Sequence, residues 1–284
     1  MLKSIQTIIF KIIYFFLITI ETILKRNILL RFKEFLEKKS YTNKIVCNNE
    51  ISFFTPNELI KWRVDTILDK EPETIQWIDE FEENSTFWDI GSNIGLYSIY
   101  AALKKDKIKI YSFEPSTSNL RTLSRNISIN NLHKKISIIP FALSNLENKF
   151  LILKEKDFIE GGALNAFGVD YDFSGKKFVF SNSYNTFGTS LDSLANQKIL
   201  DLPNYIKIDV DGIEDLILDG AKNILLNKNL RSILIEINDK FADQKNRILQ
   251  IMKANNFELM FKKRNENFYK GEFDAIYNYV FQKN

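Results

Sequence analysis

From about residue 85 the chain alternates two textures. Short apolar runs of strand length, Thr86–Ile90, Ile108–Phe113, Tyr205–Val210 and Ser232–Ile237, are separated by segments whose apolar residues recur every three or four positions, Leu96–Leu103, Thr117–Asn130, Glu214–Leu226 and Gln244–Asn255. Runs without alternation suit strands buried on both faces, and the helical periodicity between them is the pattern of strand–helix–strand units in a parallel sheet. Ile136–Ala142 reads as a third strand. Phe150–Lys154 and Lys177–Phe180 read as strands of an insertion around Gly161-Gly162-Ala163-Leu164-Asn165, which is either a cover over an active site or a peripheral hairpin. Phe257–Lys263 and Phe273–Phe281 are joined by a short connection that favours an antiparallel pair. Pro72 at a first turn predicts a helix over residues 72–78.

The N-terminus follows another rule. In Ile5–Ile20 twelve of sixteen residues are apolar, interrupted by Gln6, Thr7, Lys11 and Thr19, and the apolar positions cover most of a helix circumference. Those sixteen residues would make a helix about 24 Å long, short of a bilayer's hydrocarbon core, so the sequence predicts a segment lying on a membrane or anchored shallowly in it. Packing against the protein's own fold or a partner helix is the other reading. No small-residue cleavage site follows, so the segment is expected to be retained. Lys25, Arg26, Arg31 and Lys33 against Lys3 place the following residues on the cytoplasmic side. A charged amphipathic helix over 27–39 leads into the body. The division is an extension, residues 1–49, and one domain, residues 50–284.

Composition narrows the classes. The 284 residues are 45% hydrophobic and 26% charged, as in globular chains. One cysteine, Cys47, and one histidine, His133, leave neither a disulfide framework nor a Cys/His zinc site, and a cytoplasmic protein is expected. Residues 1–49 carry nine Lys and Arg against three Glu, a net of +6; with +3 overall, the remaining 235 residues sum to −3. A body without a basic stripe is not expected to bind nucleic acid.

Chemistry collects at the strand ends, where open parallel sheets place ligands. The first strand runs into Asp89-Ile90-Gly91-Ser92-Asn93-Ile94-Gly95. Its glycines are spaced G-x-x-x-G rather than the G-x-G-x-x-G of a dinucleotide fold, and an acid precedes them, which repels pyrophosphate and attracts a cationic group. Glu114 ends the second strand 23 residues after Gly91, near the offset at which an acid meets ribose hydroxyls. A nucleoside with a cationic tail, S-adenosylmethionine, satisfies both ends; Ala142 stands where an adenine edge would lie. The fourth strand gives Lys207, Asp209 and Asp211 on one side by alternation, and the fifth gives Glu236 and Asn238. Such a rim suits proton abstraction, orientation of a hydroxyl, or a hard divalent cation, although no metal is predicted. The structural alternatives are a Lys207–Asp209 ion pair and Asp211 capping the helix near Glu214.

In this order DIGSNIGLYSIYAA (89–102), SFEPSTSNL (112–120) and NYIKIDVDGIEDLILDGA (204–221), with KEPETIQWIDEF (70–81) and ILIEIN (233–238), resemble the FkbM family of S-adenosylmethionine-dependent methyltransferases over roughly residues 53–282. The resemblance implies a Rossmann-like seven-stranded sheet with helices on both faces and an antiparallel last strand, and O-methylation of a sugar, glycolipid or natural product. It implies further that Asp89, Gly91, Ser92, Asn93 and Gly95 hold the methionine part of the cofactor and Glu114 its ribose, that Asp209 lies near the transferred methyl, and that Asp211 and Glu236 face the acceptor. Related sequences often carry alanine at the position of Ser92 and glutamate at that of Asp211. The competing readings are a non-catalytic, membrane-tethered nucleoside-binding or scaffold protein of a surface-glycan pathway and a nicotinamide-dependent oxidoreductase.

Overall fold

The computed structural model describes residues 2–284, in two compact units that divide between Thr42 and Asn43. The first contains helix α1 (Leu2–Leu24) and helix α2 (Ile28–Lys39), whose start is tied back by Leu29 N–H donating to Glu21 Oε2 at 2.9 Å. The sequence reading undercounted α1. Thr7, Thr19 and Thr22 do not interrupt it, because a threonine hydroxyl can bond back into the preceding turn, as Thr19 does to Phe15 O and Thr22 to Ile18 O. Ser4–Leu24 is therefore about 31 Å long and is long and apolar enough to cross a membrane, with Phe10, Ile12, Phe15 and Phe16 exposed.

The second unit, Asn43–Asn284, is built on a seven-stranded sheet: β1 (Ser85–Ile90), β2 (Ile108–Phe113), β3 (Ile136–Ile139), β4 (Tyr205–Ile208), β5 (Ser232–Asn238), β6 (Phe257–Lys263) and β7 (Ile276–Lys283). The spatial order is β6-β7-β5-β4-β1-β2-β3; the first five are parallel and β7 is antiparallel to both its neighbours. This is the seven-stranded, mostly parallel sheet with an antiparallel last strand that the resemblance implies. The order reverses at β1, so β1 and β4 lie side by side with Lys207 opposite Asp89.

Alternation along the strands divides the core. Phe87, Ile110, Tyr205 and Leu234 face one layer with Ile60 and Val64 of α3 (Glu58–Asp65), Trp77 and Ile78 of α4 (Pro72–Asp79), Ile99 of α5 (Leu96–Lys104) and Leu123 of α6 (Thr117–Ile129). Trp88, Tyr111, Ile206 and Ile233 face the other, against Ile217, Leu225, Ile248 and Met252 from helices later in the chain. The first layer also receives Asp89, Lys207 and Glu236, since these share its side of the pleat.

Several expected elements differ. Pro140 ends β3 at Ile139, and Ala142–Leu143 pairs instead with Asn182–Thr189 in a four-stranded insertion that also contains Lys149–Glu155 and Asn165–Phe167. Lys177–Phe180 is not a strand; Lys177 makes only an isolated bridge to Tyr171, and the pairing strand is the more polar Asn182–Thr189. The helix expected over 214–226 breaks at Gly220, and β7 starts at Ile276 after a short 3-10 turn at Gly271–Phe273.

Candidate active site

A cavity of about 520 Å³ opens at the carboxyl ends of β1, β2, β4 and β5. Gly91, Ser92, Asn93, Glu114, Ala142, Asp209, Asp211 and Glu236 line it. Asp89 and Gly95 do not: Asp89 lies beneath the loop, accepting from Ser98 Oγ at 2.6 Å, and Gly95 caps α5. Burial pushes the Asp89 carboxyl up against the pull of Lys207 and Ser98.

The loop after β1 is shaped by a close approach. Gly91 has φ +82°, and a Cβ there would lie 1.8 Å from the carbonyl oxygen of Asp209. No side chain fits, so the floor of this half of the cavity is bare backbone. Asn93 follows at φ +51°, donating its backbone N–H to Glu114 Oε2 at 2.8 Å and its amide Nδ2 to Gly162 O at 2.7 Å, with its buried Oδ1 unpartnered. Glu114 also accepts from Ser116 N at 2.8 Å. Despite both bonds, burial pushes its carboxyl up to about 8.

The opposite half is a buried charge network. Lys207 Nζ donates to Asp209 Oδ2 at 2.6 Å, and Lys70 pairs with Glu71 at 2.6 Å. Tyr269 hydroxyl bridges Glu71 Oε1 at 3.1 Å and Glu236 Oε1 at 3.4 Å. Oxygens of Glu71, Asp209 and Glu236 lie within 4.8 Å of one another. Burial alone would raise Glu71, yet Lys70 and Lys207 hold it well below the usual carboxylate range. For Glu236, burial and then the negative charge of Asp209 push the carboxyl well above the usual carboxylate range. Burial would lower Lys207, but Asp209, Glu71 and Asp89 keep it charged. The three carboxylates have the donor chemistry of a hard cation site. Two ammonium groups already supply the compensating charge there.

The sequence expectation for Asp211 requires a correction in geometry. Strand β4 ends at Ile208, and Asp211 takes φ +64°, so alternation no longer governs its direction. Its Oδ2 accepts from the backbone N–H groups of Leu164 at 2.7 Å and Asn165 at 3.2 Å. Burial, then Asp209, pushes its carboxyl up to about 6. It does not cap the helix at Glu214, because Glu214 itself accepts from Gly212 and Val210. Asn238 turns away to Phe173 O. Of the structural alternatives, the Lys207–Asp209 pair is present.

The insertion lies over the cavity. Gly161 N–H donates to Asn119 Oδ1, its carbonyl accepts from Arg63 Nε, and Gly162 O accepts from Asn93 and Asn119. Lys70, Glu71, Tyr97 and Tyr269 were not among the sequence candidates. The signal for Glu71 was present in KEPETIQW, but was absorbed by helix initiation at Pro72.

These features suit S-adenosylmethionine. Gly91 lets the loop after β1 pack directly on the Asp209 backbone at the cavity floor, Asn93 Oδ1 lacks a donor, and Glu114 meets the cavity between Pro115 and the apolar Phe113, Phe141, Ala142 and Leu143, where a ribose and a base would lie. A model of the methyltransferase FkbM domain matches residues 89–259. The hexuronic acid methyltransferase AglP of Haloferax volcanii is 24% identical over 176 residues, 62% of this chain and 65% of that protein. Among solved structures, methyltransferase FkbM from Methylobacillus flagellatus KT aligns with a TM-score of 0.47 and 16% identity over 71% of this chain and 44% of that one. The precorrin-6y C5,15-methyltransferase from Geobacter metallireducens GS-15 aligns at 0.44 and 13% over 75% and 86%.

Proposed function

The chain belongs to the FkbM family of S-adenosylmethionine-dependent methyltransferases, and on that premise we propose that it transfers the methyl group to a hydroxyl oxygen of a sugar, glycolipid or polysaccharide precursor. The observation that carries this reading is the meeting, in one cavity, of the glycine loop after β1 with its unpartnered Asn93 Oδ1 and a pair of carboxyl groups, Asp209 and Glu236, on neighbouring strands. The name of the Haloferax relative supports a sugar-type acceptor. The cofactor supplies a methyl group activated by its sulfonium. In this reading Gly91, Ser92 and Asn93 hold its methionine portion, Glu114 its ribose, and Ala142 flanks the base, while Asp89 supports the loop from below. The three carboxylates beside the acceptor are assigned no metal.

The protein's own work is alignment, exclusion of water and management of one proton. Asp209, paired with Lys207, accepts the hydrogen of the acceptor hydroxyl. Glu236, kept neutral, donates a hydrogen bond to the same oxygen and prevents two like charges from facing each other. The oxygen becomes strongly acidic as its new bond to carbon forms, so a carboxylate is base enough. Asp211 holds Leu164 and Asn165, and with them the wall between the two halves.

Exposed apolar residues on α1 support placement at the inner face of the cytoplasmic membrane, where lipid-linked sugars are presented. The test uses tritiated methyl donor with lipid-linked glycans from the producing cells. Asp209→Asn lowers turnover about 100-fold or more while S-adenosylhomocysteine still binds, whereas Glu236→Gln, which mimics the neutral acid, retains most of it. Full turnover in Asp209→Asn overturns the base assignment.

A further inference from the structure

Besides Lys156, which is exposed on the insertion, three cations line the cavity, Arg63, Lys70 and Lys207. The two lysines are committed, each 2.6 Å from a carboxylate oxygen of Glu71 or Asp209. Arg63 differs. Its Nε donates to Gly161 O at 2.8 Å, which fixes the guanidinium plane against the insertion loop. Among the described residues it has no carboxylate partner, and its terminal nitrogens are not among the buried polar atoms lacking a hydrogen bond, so they remain accessible. Asp211, whose carboxyl feels the Arg63 charge, spends Oδ2 on the loop's backbone N–H groups.

A half-buried guanidinium with one edge anchored and the other free is preorganised for a planar or tetrahedral oxyanion, to which it can donate two parallel hydrogen bonds. Its neighbours are flat and apolar. Trp62, Phe268, Tyr269 and Phe273 line the same half, with the Trp62 and Phe268 rings 6.3 Å apart. Aromatic faces with a few placed polar groups are the chemistry of a site for a ring that is apolar on its faces and polar at its edge.

We infer that Arg63 selects an acceptor bearing an acidic group, a carboxylate or a phosphate, on or next to the sugar that is methylated. This rests on the reading above for the division of the cavity into cofactor and acceptor halves. Arg63 belongs to the acceptor half because it shares its wall with Trp62, Thr66 and Lys70, whereas the cofactor cradle is contributed by the ends of β1 and β2. Its role is recognition, and no bond is made or broken at the guanidinium.

The test is calorimetric titration of the full chain in detergent. Binding of S-adenosylhomocysteine is measured first, and the loaded protein is then titrated with glucuronate, glucose 1-phosphate and glucose. At least one acidic sugar binds about tenfold or more tighter than glucose, the scale of a charge-assisted hydrogen-bonded pair, and which one does so separates carboxylate from phosphate. Arg63→Gln, which keeps a donor for Gly161 O, brings the preference below about threefold and leaves S-adenosylhomocysteine affinity within about twofold. Arg63→Lys, which keeps the charge without the fork, lies between. Equal binding of glucose, binding of none of the three, or a preference that survives Arg63→Gln overturns the inference. So does a tenfold loss of S-adenosylhomocysteine affinity in both variants with melting temperatures unchanged, which assigns the guanidinium to the cofactor's carboxylate. Failure of the wild-type chain to bind S-adenosylhomocysteine is a different result and strikes the methyl-transfer reading itself.

Discussion

Cofactor binding expels a proton from Glu114. The carboxyl is 4% exposed and raised by burial to about 8, so at pH 7 the free protein holds it about nine-tenths protonated. Ribose hydroxyls donating to its oxygens favour the charged form and pull the value down. If it falls below about 6 in the complex, some 0.8–0.9 proton leaves per cofactor bound at pH 7, and about 0.1 at pH 9. Linkage then makes affinity rise about five- to eightfold per pH unit between about 6 and 7.5 and level off above 8. The stability sign runs the other way: with the folded value above the unfolded 4.5, the stabilisation from this group is complete below about 4.5 and is lost as pH climbs through about 8.

Calorimetry with S-adenosylhomocysteine in phosphate and in Tris reads the proton count from the dependence of observed heat on buffer ionisation enthalpy. The homocysteine product avoids the sulfonium charge, which would perturb Asp209 and Asp89. Glu114→Gln isolates the group, since the carboxyls of Asp211 and Glu236 in the same cavity are also raised by burial. The wild-type slope should exceed the variant's by more than about half a proton at pH 7. Equal slopes would refute the assignment of the ribose to Glu114.

Two further substitutions follow from the same geometry. Gly91→Ala drives a Cβ to 1.8 Å from the Asp209 carbonyl at φ +82°, so urea unfolding should show a loss of about 3 kcal/mol and calorimetry a loss of cofactor affinity above tenfold; wild-type values for both would contradict the cradle. Glu71→Gln removes an anion that raises Glu236, so Glu236 loses its proton at lower pH and the basic limb of the kcat profile moves down; a uniform loss of rate with the limb unmoved would make Glu71 merely structural.

The parts of this site that could be read from the sequence are those fixed by local rules. The apolar runs of β1, β2, β4 and β5 are buried on both faces and sit side by side, and Gly91 and Glu114 meet because each immediately follows its strand. Local rules failed where partners were remote or conformation changed within a residue or two. Lys177–Phe180 looked like a strand because it is apolar, while the true strand Asn182–Thr189 pairs with Lys149–Glu155 and has little hydrophobic signature. Alternation was carried one step too far at Asp211, where a positive φ redirected the side chain. Glu71 was masked by its place before Pro72, and although its neighbour Lys70 lies next to it in sequence, Lys207, Tyr269 and Glu236, which make it part of the site, lie far along the chain.

The inequality between Asp209 and Glu236 is the consequence of that remote pairing. Each acid ends a neighbouring buried strand, on the same face of the sheet, so proximity alone would let either carry the proton. Lys207 breaks the symmetry because it lies on β4 itself, two residues before Asp209, and period two turns its ammonium to the same side. Glu236, on β5, has no cation in its own strand to match it; its opposite residue on β7 is Asn278, and that amide is engaged by Glu73 at 2.8 Å. Lys70 approaches from before α4 but is taken by Glu71. With both nearby ammonium groups committed, ionising Glu236 would place a second carboxylate beside Asp209 without direct compensation, and the proton stays on Glu236. Anion and acid are thus assigned by which strand carries the lysine. Exchanging them requires moving that lysine: Lys207→Met with Leu234→Lys, which transfers the ammonium to the position two residues before Glu236, should leave Glu236 as the ionised partner. Activity that then survives Asp209→Asn but not Glu236→Gln would bear this out, and activity still lost with Asp209→Asn would refute it.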